Sequence, residues 1–288
     1  LIEQTEGRFK VAYSISGVAL EQFEAYCPEV IESFQRLARS GCVEFLCETY
    51  YHSLASLKDE SEFLFQVDKH KKKIEALFGQ SPKVFRNTEL IYSDQIGAMV
   101  AKMGFKAQIA EGAKHVLGWR SPNYLYKNYP NEDMFLLLKN FQLSDDIAFR
   151  FSQHSWEGFP LTCDKFVSWL NGVESPDCIN LFMDYETFGE HQWKETGIFE
   201  FLKRLPFEVF EQSDFDFATP SELISRYEAK DLVSSPLPMS WADEERDVTA
   251  WLGNDLQDDA FEQLYSLSKE IHASKDEELL NIWRRLQT

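Results

Sequence analysis

The chain has 288 residues, of which 44% are hydrophobic and 15% aromatic, so it can bury the core of one large domain or two modest ones. Its 29 basic residues against 48 acidic ones give a net charge of −19. A field of that sign repels phosphate backbones, so we expect no binding to nucleic acid, whereas a neutral substrate would not be repelled.

Membrane insertion and disulfide bonding are not indicated by the sequence either. No apolar run approaches the roughly 20 residues that a membrane-spanning helix needs. The first residues, LIEQ, do not show the basic, apolar and small-residue sections of a signal peptide. The cysteines are odd in number and scattered, at Cys27, Cys42, Cys47, Cys163 and Cys178. We therefore expect a cytoplasmic protein with reduced thiols.

Strand and helix patterns alternate over most of the first 225 residues. Alternating or apolar β-rich runs predict strands at 9–16, 42–46, 83–87, 106–110, 179–183 and 215–218. Helical spacing of apolar residues predicts helices at 20–40, 61–78, 94–103, 165–170, 193–205, from 219 onward, and at 248–272 and 277–286. Segment 134–141 fits a helix or a strand. The alternation favours an α/β fold with a parallel sheet and crossover helices, followed by a smaller helical region.

Polar side chains follow the predicted strands, at the point where each strand ends. They are Glu44 to His52 as a run, then Glu89, Glu111, Asp145, Asp146, Asp184 and Glu186. In a (β/α) barrel the carboxyl ends of the strands open into one mouth, where active sites are built. The pattern therefore predicts an enzyme, although each acid could also serve a helix N-terminus.

The residue types narrow the chemistry. No two histidines stand four residues apart as in a helical metal site, and neither a Gly-x-Ser-x-Gly elbow nor a Gly-rich phosphate loop occurs. His52 and His191 follow strand ends, whereas His70 and His272 lie in charged helices and are expected to face solvent. Carboxylates remain, and glycoside hydrolysis is a reaction that two carboxylates can perform.

Several motifs resemble those of family 57 glycoside hydrolases, in particular the α-amylase-like group. The motifs are FRNTELIY at 85–92 and LFMDYETFGEHQW at 181–193, with SISGVAL at 14–20, ETY at 48–50, HSL at 52–54, WRSPNY at 119–124 and LSDDIAFR at 143–150. The resemblance implies an incomplete, TIM-like (β/α)7 barrel and retaining hydrolysis of α-1,4-linked glucans. It also implies Glu89 as the nucleophile, Asp184 as the general acid/base, and neither a metal nor an organic cofactor.

The sequence departs from the family pattern at its beginning and at one aromatic position. The His-Gln-Pro motif of the family's first strand is missing, so we expect that strand to precede residue 1. We assign residues 1–228 to the barrel and 229–288 to a linker and the start of a helical region that is expected to continue past residue 288. Tyr92 stands where many members have Trp, and either ring can stack on a sugar.

Further residues are predicted to contact a glucan or maltooligosaccharide. Glu44 is expected to face the mouth, because an unpaired carboxylate inside a strand would be costly. The other candidates are His52, Tyr92, Trp119, Asp145, Glu186, His191 and Trp241. Each of these has a structural alternative in packing, capping or solvation. The oligomeric state is not predicted.

Three alternative functions fit the same sequence. A glucan transferase or branching enzyme of the family would share both carboxylates. A metal-dependent polysaccharide deacetylase has a related barrel but needs one Asp and two His as metal ligands. A non-catalytic glucan-binding homologue would keep the fold without turnover.

Overall fold

A computed structural model describes residues 1–129 and 131–288 of the chain. The strands are β1 (Val11–Tyr13), β2 (Val43–Phe45), β3 (Val84–Arg86), β4 (Ala107–Glu111), β5 (Leu125–Asn128), β6 (Asn131–Lys139) and β7 (Asp231–Val233). The helices are α1 (Gly17–Tyr26), α2 (Pro28–Arg39), α3 (Glu60–Phe78), α4 (Asp94–Lys102), α5 (Lys114–Leu117), α6 (Phe141–Ala148), α7 (Cys163–Asn171), α8 (Ile198–Gln212), α9 (Pro220–Arg226), α10 (Asp255–Ser266), α11 (Ser268–Ser274) and α12 (Glu277–Arg285). Within the described ranges, no helix combines the length and apolarity needed to cross a bilayer.

Parallel strands form the wall that carries the site. β1 pairs with β2, and β3, β4 and β6 follow one another in parallel. A parallel bridge between Cys47 and Phe85 joins the first pair to the second set, and a bridge between Lys139 and Asn180 extends the wall past β6. β5 runs antiparallel to β6, and β7 pairs with β5 at the outer edge. The carboxyl ends of the parallel strands therefore lie side by side, as the sequence predicts.

Both faces of the sheet are buried, which is typical of parallel sheets covered by helices. Along β6, Leu136 and Leu138 pack into a core shared with α3 and α4, while Leu137 packs into a second core on the other face. This architecture confirms the predicted α/β class with a parallel-dominated sheet and a helical region after it.

Local capping signals explain where several helices begin and end. The Asp59 side chain accepts from the Glu62 N–H at the start of α3, and Gly79 ends that helix in the left-handed region at φ 69°. Thr219 and Glu222 form a reciprocal capping box at α9. The predicted helix at 20–40 is two helices, because Pro28 lacks an N–H and begins a new one.

Some predicted elements differ from the structure. Residues 179–183 are not a ladder-forming strand, since only Asn180 bridges to β6 and the segment is half-exposed. Residues 215–218 are also irregular, and 248–254 form turns before α10. Segment 134–141 is mostly strand, in β6. β5 and β7 were not predicted, because LYKN and DLV are short and polar, and tertiary pairing rather than local pattern makes them strands.

The C-terminal helices share a core with the sheet. Tyr265, Ile271, Leu280 and Trp283 pack into the same apolar cluster as Phe85. A buried ion pair adds to this packing, with Arg284 Nε 3.0 Å from Glu62 Oε1 and Arg284 Nη2 3.2 Å from Glu62 Oε2. α12 is therefore anchored to α3 by both apolar and charged contacts.

Replacing Arg284 with leucine is expected to lower the free energy of unfolding by about 3–5 kcal/mol, because it leaves the buried Glu62 carboxylate without its guanidinium partner. Urea denaturation measures the change. The control is Arg285→Leu. It removes a solvent-accessible ion pair, in which Arg285 Nη2 lies 2.7 Å from Glu21 Oε2, and should cost at most about 1 kcal/mol. Equal losses for the two variants would contradict the assignment of α12 as an anchored helix.

Candidate active site

Glu89 stands at the mouth of the wall, one short turn beyond β3. It lies in a 3-10 turn, Thr88–Leu90, and its backbone is in the left-handed region at φ 53° and ψ 28°. Leu90 also has a φ of 53°. Non-glycine residues adopt this region at a cost of about 1–3 kcal/mol, and such strain gathers at functional sites. Leu90 is buried in an apolar core, whereas the Glu89 side chain keeps 27% of its surface exposed.

Hydrogen bonds from neighbouring segments hold the strained turn. The Asn87 amide donates to the Ile91 carbonyl at 2.9 Å, closing the turn. Thr88 and Thr49 share a hydroxyl hydrogen bond of 2.7 Å, which joins this turn to the one after β2. His52 lies in that second turn and is itself left-handed, at φ 52°. The segments after β2 and β3 are therefore locked together at the site.

The Glu89 carboxylate has a hydrogen-bond partner on each oxygen. His52 Nε2 lies 3.0 Å from Oε1, and the Trp241 indole N–H donates to Oε2 at 2.8 Å. Burial raises the pKa of Glu89, but the hydrogen bonds with His52 and Trp241 and the charges of Arg86 and His52 outweigh it, so the pKa is lowered. Glu89 is therefore held ionised and oriented, as a nucleophile requires.

Asp184 has the opposite electrostatic environment. It follows the Asn180 bridge, is half-buried, and receives no hydrogen bond to its carboxylate from the described residues. Burial raises its pKa; Arg86 opposes this, while the negative charges of Glu186 and Glu89 add to the increase. The two carboxyl groups are thus driven apart in pKa, which is how one site obtains both an acid and a base.

A buried carboxylate, Glu48, lies behind His52. Glu48 Oε2 is 2.9 Å from His52 Nδ1 and 3.6 Å from an Arg86 guanidinium nitrogen. Burial raises the pKa of Glu48, but the His52 hydrogen bond and the Arg86 and His52 charges lower it overall to about 2. Two basic side chains, His52 and Arg86, therefore form one compact cluster with the carboxylates of Glu48 and Glu89.

Trp241 reaches Glu89 from a loop that a second charged cluster anchors. Arg246 donates to the Trp241 carbonyl and approaches Asp145 to 3.4 Å and Glu111 to 3.7 Å. Lys139 lies 3.1 Å from Asp145, and its ammonium stands 5.0 Å from the Trp241 ring centroid. The two cations and two carboxylates therefore fix the loop that carries the indole.

Three predicted contact residues lie apart from this cluster. Glu44 accepts from the Ser221 backbone N–H at 2.8 Å and from the Ser221 hydroxyl at 2.5 Å, so it holds the start of α9. Tyr92 is fully buried, and its hydroxyl accepts from the Asn128 amide at 2.5 Å, so the ring has no face open to a sugar. Trp119 is 95% exposed, and among residues 1–129 and 131–288 no hydrogen bond, ion pair or ring contact joins it to the Glu89 cluster.

Glu186 and His191 are exposed residues whose charges act on Asp184. Glu186 is exposed, and His191 stacks on Phe149 at a centroid distance of 6.2 Å. His191 and Trp193 also line a pocket of about 530 Å³, whose other walls are Ser152, His154, Phe159, Glu195 and Thr196. This pocket offers rings and polar groups next to the loop that carries Asp184.

Some site residues were not predicted as such. Glu48 and Arg86 stand inside motifs quoted above, and the signal for Glu48 was its position four residues before His52. His70, expected to face solvent, is fully buried and accepts from the Glu48 backbone N–H at 3.1 Å. The ring can be buried because its second nitrogen also forms a hydrogen bond with the Ile15 carbonyl, at 2.8 Å. Over the described residues, no three His, Cys, Asp or Glu side chains are grouped to hold a metal ion.

If Glu89 acts as a nucleophile, replacing Trp241 with phenylalanine should lower kcat/KM by about 10-fold to 100-fold, because the reacting carboxylate loses its orientation. Loss of the indole N–H also raises the pKa of Glu89, so the acidic limb of the kcat/KM profile should move to higher pH. Steady-state kinetics across pH, with the unfolding temperature as a control for folding, measures both. An unchanged acidic limb in a folded variant would contradict the role assigned to the indole.

The sequence and the fold of this chain are similar to those of known proteins. The chain is 45% identical to the "Putative alpha-amylase" of Methanocaldococcus jannaschii, over 97% of this chain and 62% of that protein. Its fold matches the 4-alpha-glucanotransferase of Thermococcus litoralis with a TM-score of 0.70 at 19% identity, covering 93% of this chain and 41% of that structure. It also matches the GH57-type branching enzyme of Pyrococcus horikoshii with a TM-score of 0.69 at 14% identity, covering 96% and 72%.

The chain thus spans less than two thirds of the length of its M. jannaschii relative. The model of glycosyl hydrolase family 57 matches residues 1–236, which include the whole wall of strands, Glu89 and Asp184. The chain belongs to glycosyl hydrolase family 57.

Proposed function

We propose that this chain carries the catalytic centre of a retaining glycoside hydrolase that acts on α-1,4-linked glucans. The observation that carries the proposal is the fixed Glu89 carboxylate, held between His52 and Trp241 at the end of β3. Asp184, with its raised pKa, is the second carboxyl group that the reaction needs.

In the first step, Glu89 attacks the anomeric carbon of the glucan. The bond from that carbon to the glycosidic oxygen breaks, and Asp184 gives its proton to the departing oxygen. Glu89 then holds the sugar as an ester, and Asp184 is ionised. The lowered pKa of Glu89 and the raised pKa of Asp184 both favour these starting protonation states.

In the second step, Asp184 takes a proton from water as the water attacks the anomeric carbon, and Glu89 leaves as a carboxylate. If a sugar hydroxyl replaces water, the same two residues perform glucan transfer or branching. For this double displacement we expect the two carboxyl groups to stand roughly 5–5.5 Å apart.

The choice of an α-glucan is supported by the names of the relatives, which are an α-amylase, a glucanotransferase and a branching enzyme. The site also presents rings on which sugars can stack, with Tyr185 66% and Trp193 66% exposed. We place further glucose units of the bound glucan along Glu186, His191 and the pocket beside Trp193.

The division of labour along the chain is also part of the proposal. Residues 1–228 would form the catalytic barrel, while the 229–288 region supplies Trp241 and Arg246 to its site. We further place the protein in the cytoplasm, since all five cysteines, each within the described ranges, are unpaired thiols.

Incubation of the full-length gene product with maltoheptaose and amylose tests the proposal. Proton NMR of the first products should show the α-anomer, because retention preserves the configuration of the cleaved bond. Chromatography of the products separates hydrolysis, which gives only shorter chains, from transfer, which also gives longer ones. Release of the β-anomer first would refute retention. Binding of maltoheptaose without any turnover would favour a non-catalytic homologue.

A further inference from the structure

Glu48 is a buried carboxylate that the two-carboxylate reaction does not itself require. Its side chain accepts a hydrogen bond from the Ser14 hydroxyl at 2.7 Å and lies 2.9 Å from His52 Nδ1. Its backbone N–H donates to His70 at 3.1 Å, and Arg86 approaches its Oε2 to 3.6 Å. Contacts from the end of β1, the turn after β2, α3 and β3 thus hold Glu48 in one position.

His52 is bracketed by two carboxylates. Its Nδ1 lies 2.9 Å from Glu48 and its Nε2 lies 3.0 Å from Glu89. A neutral imidazole carries only one N–H, so its other nitrogen would turn a lone pair toward a carboxylate oxygen. Only the imidazolium donates from both nitrogens. With both carboxylates ionised, a protonated ring satisfies both contacts, while the Arg86 guanidinium, 3.5 Å from Nδ1, opposes the charge on the ring.

We propose that Glu48 is a positioning residue, which keeps His52 protonated and through that cation keeps Glu89 ionised and aimed. The inference rests on the proposed function, since it assigns Glu89 as the nucleophile. Glu48 does not touch the substrate. It acts only through the His52 ring, over the two hydrogen bonds described above.

The charges around the ring agree with this role. Burial lowers the pKa of His52, but the hydrogen bonds with Glu48 and Glu89 and the Glu48 charge outweigh both burial and the nearby Arg86 guanidinium, raising it to about 9. His70, on the far side of Glu48, has its pKa lowered, first of all by burial, so a neutral ring there accepts from Glu48. Asp184 and Glu186 add negative charge on the Glu89 side.

The cation also serves the second step of the proposed reaction. While the sugar is bound, Glu89 is a neutral ester, and it regains its negative charge as the sugar leaves. A fixed positive charge 3.0 Å away stabilises that developing carboxylate without reorganisation. Loss of the Glu48 charge should therefore slow breakdown of the glycosyl-enzyme as well as shift the pH profile.

Nitrogen-15 NMR of the histidine side chains tests the ring directly and needs no catalytic activity. The chain has six histidines, and a His52→Gln variant identifies the His52 signals. Both ring nitrogens of His52 should stay protonated through pH 8 in the wild type, and Glu48→Gln should lower the midpoint by about one unit or more. A wild-type midpoint near the ordinary histidine value, or no shift in the variant, would overturn the inference whether or not the protein is an enzyme.

The pH dependence of kcat/KM supplies the functional test. Glu48→Gln should move the acidic limb to higher pH, because Glu89 then lacks its neighbouring cation, while Glu262→Gln, which removes the same charge from an exposed ion pair on α10, should not. His52→Gln should give a comparable shift, and the double variant should equal His52→Gln alone. A uniform loss at every pH, or additive shifts, would show that Glu48 acts structurally instead of through His52. If Glu48→Gln does not fold, the wild-type His52 midpoint still decides the matter.

Discussion

Replacing Glu89 with glutamine should reduce kcat/KM on maltoheptaose by at least about 10⁴-fold, since removal of a covalent nucleophile elsewhere costs up to about 10⁶ in kcat. The amide keeps the size of the side chain but cannot form the glycosyl ester. Its oxygen can accept a hydrogen bond from only one of His52 and Trp241, because the other terminal atom of the amide is an NH2 donor. The variant should still bind maltoheptaose, which calorimetry measures.

The matched control for this variant is Glu200→Gln. Glu200 lies on α8, and its exposed side chain pairs with Lys203 at 2.8 Å, so the same chemical change there should leave the rate unaltered. Glu89→Gln protein that is folded, binds the glucan and still turns it over within about 10-fold of wild type would remove Glu89 from the nucleophile role.

Replacing Asp184 with asparagine should lower kcat/KM by about 10²-fold to 10⁴-fold on natural glucans, the usual contribution of a positioned general acid. In the proposed mechanism, Asp184 is protonated in the free wild-type enzyme. Because its pKa is raised, mainly by burial, activity should persist as pH rises until Asp184 ionises and the basic limb begins. That limb should be absent in Asp184→Asn.

A substrate with a good leaving group separates the two steps for this variant. Maltosyl fluoride needs little protonation, so Asp184→Asn should still form the glycosyl-enzyme at a rate close to wild type and then stall. A burst of fluoride of about one equivalent measures this. Equal slowing with maltosyl fluoride and with natural glucans would contradict the acid role. A general acid is needed only where the leaving group must be protonated, and fluoride leaves without that help.

The parallel wall and its polar mouth could be read from the sequence. The runs that become β2, β3 and β4 are apolar, are followed by acids and alternate with helical patterns, and the predicted run at 179–183 is followed by Asp184. The strand-end pattern therefore collects Glu89, Glu111 and Asp184. The family motifs single out Glu89 and Asp184 as the proposed catalytic pair, because spacing along the chain cannot rank carboxylates that the fold brings together. The structure adds their opposite pKa shifts.

Other features depend on contacts between residues distant in sequence. The Trp241 indole bonds a residue 152 positions away, and Ser221 captures Glu44 from 177 positions away, so no local pattern reports either contact. The sequence does not predict the left-handed backbone at Glu89 either, because glutamate rarely adopts that region. Residues 179–183 resemble a buried strand in composition, yet they form a single bridge, because strand formation requires a neighbouring ladder.

The central claim is that Glu89 forms a covalent bond to the sugar. A slowly hydrolysed 5-fluoro-α-glucosyl fluoride, or its maltosyl analogue, should trap the intermediate on the full-length protein. Mass spectrometry of the intact protein and then of its peptic peptides should show one added glycosyl group, located on Glu89. An adduct on Asp184 or another residue, or an active enzyme that forms no adduct and releases products with inverted configuration, would contradict the claim.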